Sequence, residues 1–346
     1  MSQQKIPNLP NLPDPEALFS SWWPIIIAVV CGFTYALRQY MRGSRCTSQI
    51  KLDGKVALVT GGGSGIGKFV AIDLAQRGCK VYITVRNEEQ GQKALKSIEY
   101  RMKKGDVKYL VCELDKLKSV REFASAFKKK EEKLHYLIHS AGVMMPEYTN
   151  TEDNFELQFQ VNYLASALLT SLLTCSLEAA TPSRVIFLIA PAYNLGEINW
   201  EAAIDPNIAE KDYTPGKYYA QSKLAVVLFS LVLAEKLKEK GVIVHCANPG
   251  VTNTKIYRHM PFRKSAFISL SFSPFIWFFM KHPEDGAQTP LYCALSEFAG
   301  KETGKYYKEC AIEKLSEKAE DAELQKKVWE RTLEWLNIKE FGKTDD

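Results

Sequence analysis

Thr60-Gly61-Gly62-Gly63-Ser64-Gly65-Ile66-Gly67 joins two stretches of different periodicity. Before it, Lys55-Val56-Ala57-Leu58-Val59 is a short apolar run rich in β-branched residues, which reads as a buried strand. After it, Lys68 to Gly78 carries apolar residues at helical spacing and stops at a glycine. Strand, glycine turn and helix in that order are the setting of a dinucleotide site. Glycines let the backbone approach a pyrophosphate, and the helix N-terminus supplies free N–H groups and a positive dipole. Glycine clusters also mark ordinary turns, so the rest of the chain has to decide.

Working outward, strands and helices alternate. Val81–Val85, Val107–Cys112, His135–Ile138, Arg184–Ile189 and Gly241–Cys246 read as further strands. Helices are expected over about 88–103, 119–129, 153–177 and 216–240, and an amphipathic one over 323–336. Such alternation implies right-handed βαβ crossovers and a parallel sheet covered on both faces. The expected fold class is therefore α/β: a single doubly wound Rossmann-type parallel sheet domain over residues 51–340, preceded by a membrane anchor.

The anchor is read from residues 18–37, twenty without a charge, centred on Trp22-Trp23-Pro24-Ile25-Ile26-Ile27. Twenty helical residues span about 30 Å, enough for a bilayer core. The alternatives are a cleaved signal peptide and a surface-lying helix. A signal peptide wants a basic region before the apolar run, where only Lys5 stands, offset by Asp14 and Glu16. Arg38, Arg42, Arg45 and Lys51 follow it instead, so residues 38–50 read as a basic linker and the bulk of the chain faces the cytosol. Residues 1–17 form a short polar, proline-rich tail.

Composition narrows the function classes. Of 346 residues 46% are hydrophobic, ample for a core. The net charge of +5 is small and spread out, which gives no footprint for nucleic acid. Eight cysteines without CxxC spacing and five scattered histidines form no metal pattern, and no N-x-S/T sequon occurs. This pattern favours a reducing, cytosol-facing location.

Ligands of such sheets bind beyond the carboxyl ends of the strands. Arg86 follows the second strand, where NAD-preferring folds place an acid; here Val85 precedes it. A guanidinium can take the extra phosphate of NADP in bidentate fashion, or can simply be a solvated surface group. Asp115 follows the third strand, where it can serve as a helix N-cap. Tyr219 and Lys223, in Tyr218-Tyr219-Ala220-Gln221-Ser222-Lys223, lie four apart and so share a helix face. A phenol is a poor acid or base at neutral pH, and an adjacent ammonium would stabilise its phenolate. Tyr218 cannot serve, because its i+4 partner is Ser222.

These motifs together resemble the short-chain dehydrogenase/reductase family over about residues 55–337, through TGxxxGxG at 60–67 and YxxxK at 219–223. The resemblance implies that Gly61, Gly63, Ser64, Gly65, Ile66 and Gly67 hold the cofactor phosphates, with Ala141 and Gly142 letting it pass after the fourth strand. It implies Asp115 near the adenine and Asn162 as the helix asparagine of the proton relay, unless that residue is only a core amide. Pro249, Gly250 and Thr252 match the loop on the nicotinamide side. The resemblance implies NADP(H) as cofactor and no metal.

Two departures stand out. His139-Ser140-Ala141-Gly142 replaces the family's NNAG, and Ile189-Ala190 replaces the Ser-Ser pair whose second serine hydrogen-bonds the substrate oxygen. Loss of such a donor costs roughly 10²–10³ in rate. Tyr193 is the nearby hydroxyl that could stand in.

Pro249–Thr254, Arg258–Met260, Gly286–Thr289 and Gly304–Tyr307 resemble the membrane-anchored retinol dehydrogenase-like branch. That branch implies a hydrophobic alcohol or aldehyde, retinoid-like or another lipid, handled at the endoplasmic reticulum with the catalytic domain cytosolic. Residues 251–282 then form a lid, rich in Phe and uncharged over 265–280, that would meet the bilayer surface. The alternative is a cofactor-binding pseudoenzyme acting as a scaffold, because Ala190 occupies the serine position.

Overall fold

The computed structural model describes residues 22–102, 104–260, 271 and 273–343. Two compact units emerge, Met1–Gly43 and Ser44–Asp346.

In the first unit, α1 (Trp23–Arg42) is long and apolar enough to cross a membrane, and none of its residues is buried. Residues 18–21 of the expected span lie outside the described residues, and the helix runs on past Leu37 through Arg38 to Arg42. A charge does not break a helix; the stop comes at Gly43, whose φ of 75° is left-handed and whose N–H returns to Tyr40 O at 3.1 Å. Residues 38–42 of the basic stretch are thus helical. The expected tail at 1–17 lies outside the described residues.

The second unit is built on one eight-stranded sheet: β1 (Val56–Thr60), β2 (Lys80–Val85), β3 (Asp106–Val111), β4 (Tyr136–His139), β5 (Ser183–Leu188), β6 (Val242–Asn248), β7 (Lys305–Lys308) and β8 (Ala311–Ile312). Their order is β3-β2-β1-β4-β5-β6-β7-β8. Neighbours run parallel except β7 and β8. The order reverses between β1 and β4, and the crevice at their carboxyl ends is where such sheets bind ligands.

The longer helices of this unit are α2 (Gly65–Gln76), α3 (Glu88–Glu99), α4 (Leu117–Lys128), α5 (Ala165–Glu178), α6 (Pro215–Lys238), α7 (Gln288–Leu295) and α8 (Ala322–Trp335). Two apolar layers fill the space on either side of the sheet. One joins Phe127, Leu168, Phe187, Phe229 and Trp329, from α4, α5, β5, α6 and α8. The other joins Val70, Ile83, Ala94, Ile186 and Leu291, from α2, β2, α3, β5 and α7. Strands buried on both faces read as continuous apolar runs, which is why β1 and β2 show in the sequence.

Two expectations are corrected. The helix anticipated over 153–177 is interrupted. A single turn at Leu157–Phe159 passes into a π turn at Gln160–Leu164 before α5 begins. Strands β7 and β8 were not anticipated; β8 has two exposed residues and no alternation to read.

Candidate active site

Thr60 ties the switch point together. Its Oγ1 accepts from the N–H of Ser140 at 3.1 Å and of Ala141 at 3.2 Å, so the exit of β4 is fastened to the exit of β1. Gly61 follows with φ 64°, and a Cβ there would stand 2.8 Å from Ala141 Cα. Only glycine meets both demands. Gly67, in the first turn of α2, packs against it, where a Cβ would lie 2.8 Å from Gly61 O.

A cavity of about 790 Å³ opens there. Its wall includes the expected Gly61, Gly63, Ser64, Gly65, Ile66, Arg86, Asp115, Ala141 and Gly142. Asp115 is not an N-cap: Leu117 N, at the start of α4, is bound at 2.8 Å by Asp153 Oδ2 instead. The amide-rich start of α2, the unfilled glycine surface and the guanidinium of Arg86 fit a phosphorylated dinucleotide. Thr252 is placed differently from these residues. It is buried away from this wall, with Oγ1 on Pro249 O and Gly250 O, both at 3.2 Å, and packed on Gly286. Thr254, which the sequence reading missed, lines the cavity and meets the space above Gly65. Gly67, Pro249, Gly250, Tyr219, Lys223, Asn162 and Ala190 are not on this wall either.

The last four lie beside it, linked through Gly142. A Cβ on Gly142 would come 3.2 Å from Asn162 Oδ1. Asn162 sits in the π turn, and its amide is fully engaged. Oδ1 accepts from Val143 N at 2.8 Å, and Nδ2 donates to Val143 O and to Ser222 Oγ, both at 2.9 Å. The side chain is a clamp between the β4 exit and α6. It has no donor left for a water.

Ser222 precedes Lys223, whose buried Nζ donates to Leu188 O at 2.9 Å, at the end of β5. Ala190, two residues on, is extended. Lys223 Nζ stands 5.8 Å from the centre of the Tyr219 ring. Tyr218 is turned away, donating to Ala209 O at 3.2 Å. Burial pushes the Tyr219 phenol up, and nearby Tyr257 adds to it, a direction opposite to the lowering that an adjacent ammonium alone would give. Burial also brings Lys223 down to about 8. Tyr219 is thus held as a protonated phenol beside a lysine that is still mostly charged at neutral pH. Tyr193 is no stand-in for the absent serine, since it is buried in the core with its hydroxyl accepting from Ser316 N at 3.2 Å.

A sequence model described as short chain dehydrogenase matches residues 55–202 and 204–262. The chain belongs to the short-chain dehydrogenase family. Among its relatives, mouse retinol dehydrogenase 13 is 39% identical, over 90% of this chain and 93% of its own. Human retinol dehydrogenase 11 is 36% identical over 87% and 92%. A solved structure of an uncharacterised Mycobacterium paratuberculosis protein superposes with a TM-score of 0.67 at 26% identity, covering 85% of this chain and 98% of that one. This short-chain dehydrogenase is similar to these retinol dehydrogenases over about nine-tenths of its length and departs from the family pattern at Ala190.

Proposed function

We propose that this chain is an NADP(H)-dependent oxidoreductase that interconverts a hydrophobic alcohol and its aldehyde or ketone, retinoid-like or another lipid. The observation that carries the reading is the placement of Tyr219 and Lys223 on one face of α6, with Lys223 fixed to the end of β5. Bound in the crevice, the nicotinamide supplies or accepts the hydride. Tyr219, kept protonated by burial, donates its proton to the substrate oxygen in the reductive direction. Lys223 commits one hydrogen to Leu188 O and keeps two, and its positive charge supports the phenolate that proton donation leaves behind. Asn162 holds the β4 exit and α6 in register, so that both groups stay at the cavity's edge. Arg86, with no acid at Val85, favours the extra phosphate of NADP(H).

The names of the relatives favour a retinoid or similar lipid, and α1 favours a single-pass anchor with the second unit facing the cytosol, at the endoplasmic reticulum. On that reading Phe275, Trp277 and Phe279, exposed on the short helix Ser273–Phe279, meet the bilayer surface as part of a lid. Residues 261–270 and 272 of the lid lie outside the described residues. Ala190 favours one other reading, a cofactor-binding pseudoenzyme. The test is NADPH consumption by the purified full-length protein with retinoid, steroid and fatty aldehydes. Turnover that needs Tyr219 supports the enzyme. Cofactor binding with no turnover across the panel overturns it.

A further inference from the structure

The cavity wall carries more positive charge than the diphosphate of a dinucleotide calls for. Lys68, Arg86, Lys93, Lys255 and Arg258 all line it, against the single carboxylate of Asp115. Lys93 is paired with Glu89 at 2.5 Å, but Lys68, Arg86, Lys255 and Arg258 form no ion pair among the described residues.

Arg86 and Arg258 come from opposite sides. Arg86 stands at the carboxyl tip of β2, and Arg258 on the short turn Lys255–His259 that follows β6. That turn closes on the cavity through Thr254, Lys255 and Ile256 as well. Both guanidiniums line this one cavity, and burial, with the charge of Arg86 added, lowers Arg258. Like charges gathered on one wall with a single carboxylate repel, and an anion bound between the two guanidiniums relieves that repulsion. Arg258 keeps its terminal nitrogens for it, since only Nε donates to His259 Nε2, at 2.9 Å.

We propose that Arg258 is the second arm of a clamp on a phosphomonoester at the adenosine end of the dinucleotide, facing Arg86 across the cavity mouth. This rests on the NADP(H) reading and extends it. Selectivity for the extra phosphate then comes from two elements distant in sequence, and the phosphate draws the turn Lys255–His259 down over the cofactor. A dianion between two planar forks is held by charge-assisted bonds from both sides, and either arm alone holds it less well.

The test compares the full-length protein in detergent with R86Q, R258Q and R258K, titrated with NADPH and NADH. Fragment competition by 2′-AMP and 5′-AMP is measured alongside. R258Q is expected to weaken NADPH about 10- to 100-fold while NADH changes less than about threefold, as for loss of a charged hydrogen bond. R258K should recover part of the loss, and 2′-AMP should lose its advantage over 5′-AMP in R258Q. Because Arg258 is partly exposed, the variant's thermal midpoint should stay near that of the unmutated protein. If R258Q leaves NADPH affinity unchanged while R86Q lowers it, the clamp is wrong and the NADP(H) reading stands. Equal weakening of NADPH and NADH also overturns the clamp, since Arg258 would then act on the shared diphosphate. Should the unmutated protein prefer NADH, the NADP(H) reading fails and the clamp with it.

Discussion

Asn162 donates from Nδ2 to Ser222 Oγ at 2.9 Å, and Ser222 is the residue immediately before Lys223. The same amide holds Val143 through both its N–H and its carbonyl. A π turn in place of regular helix aims the side chain this way. Asn162→Ala removes all three bonds and leaves buried backbone groups of Val143 without a partner. It should lower stability by roughly 1–3 kcal/mol in denaturant titrations. Turnover should also fall by at least tenfold at a temperature where the variant is folded. A folded variant with unchanged turnover would show that the clamp does not position α6.

Gly61 should tolerate no side chain. Its φ of 64° and the 2.8 Å separation of a would-be Cβ from Ala141 Cα mean that Gly61→Ala must push β1 and β4 apart at their exits. The strain is of order 1–3 kcal/mol. NADPH affinity, followed by protein fluorescence, should drop at least tenfold. Gly54→Ala serves as a control: it has a similar φ of 74° with open space around it, so stability should fall while NADPH affinity holds.

How far the sequence carried depends on whether an element declares itself locally. Strands β1, β2, β4, β5 and β6 and the glycine turn were legible, because strands buried on both faces are continuous apolar runs and only glycine fits beside Ala141. Strand β3, at the sheet edge with no buried residue, showed only through its β-branched and aromatic residues. Strand β7 has four residues and β8 two, too short for any period, and tertiary pairing creates them. Which of Thr252 and Thr254 faces the cavity was not legible either. Spacing places both on one loop, and the packing of Thr252 on Gly286 decides between them. The direction in which Tyr219 shifts was hidden for a related reason: a YxxxK spacing shows proximity to an ammonium but not the extent of burial.

Lys223 leads to a pH prediction with a definite sign. Burial lowers its folded value to about 8 from 10.5, so the unfolded chain binds the extra proton between those pH values. Stability therefore rises with pH across that window, and at neutral pH the buried ammonium destabilises the fold. Lys223→Met should be more resistant to urea than the unmutated protein at pH 7, with an advantage that shrinks by pH 10. Its reductase activity should be lost. In the unmutated protein, turnover in the reductive direction should decline as pH rises through about 8, where the ammonium loses its proton. A urea advantage that stays constant from pH 7 to pH 10 would exclude the charge of Lys223 as its cause.

Ala190 is where activity can be recovered. Its backbone is extended, with φ −136° and ψ 151°, a conformation serine adopts freely. Its carbonyl already receives Tyr193 N at 3.0 Å, so the turn after it is held without help from a side chain. Ala190→Ser should therefore fold normally and add a donor beside the substrate oxygen. Removal of such a donor costs about 10²–10³ in rate, so its return should raise turnover roughly tenfold or more. The gain should appear in kcat rather than KM, because the hydrogen bond strengthens as negative charge develops on the oxygen. Tyr219→Phe is the comparison that fixes the interpretation. It should abolish turnover in both the native and Ala190→Ser backgrounds while leaving NADPH binding in place. If Ala190→Ser accelerates the reaction equally with phenylalanine at 219, the proton comes from another group and the role assigned to Tyr219 is wrong.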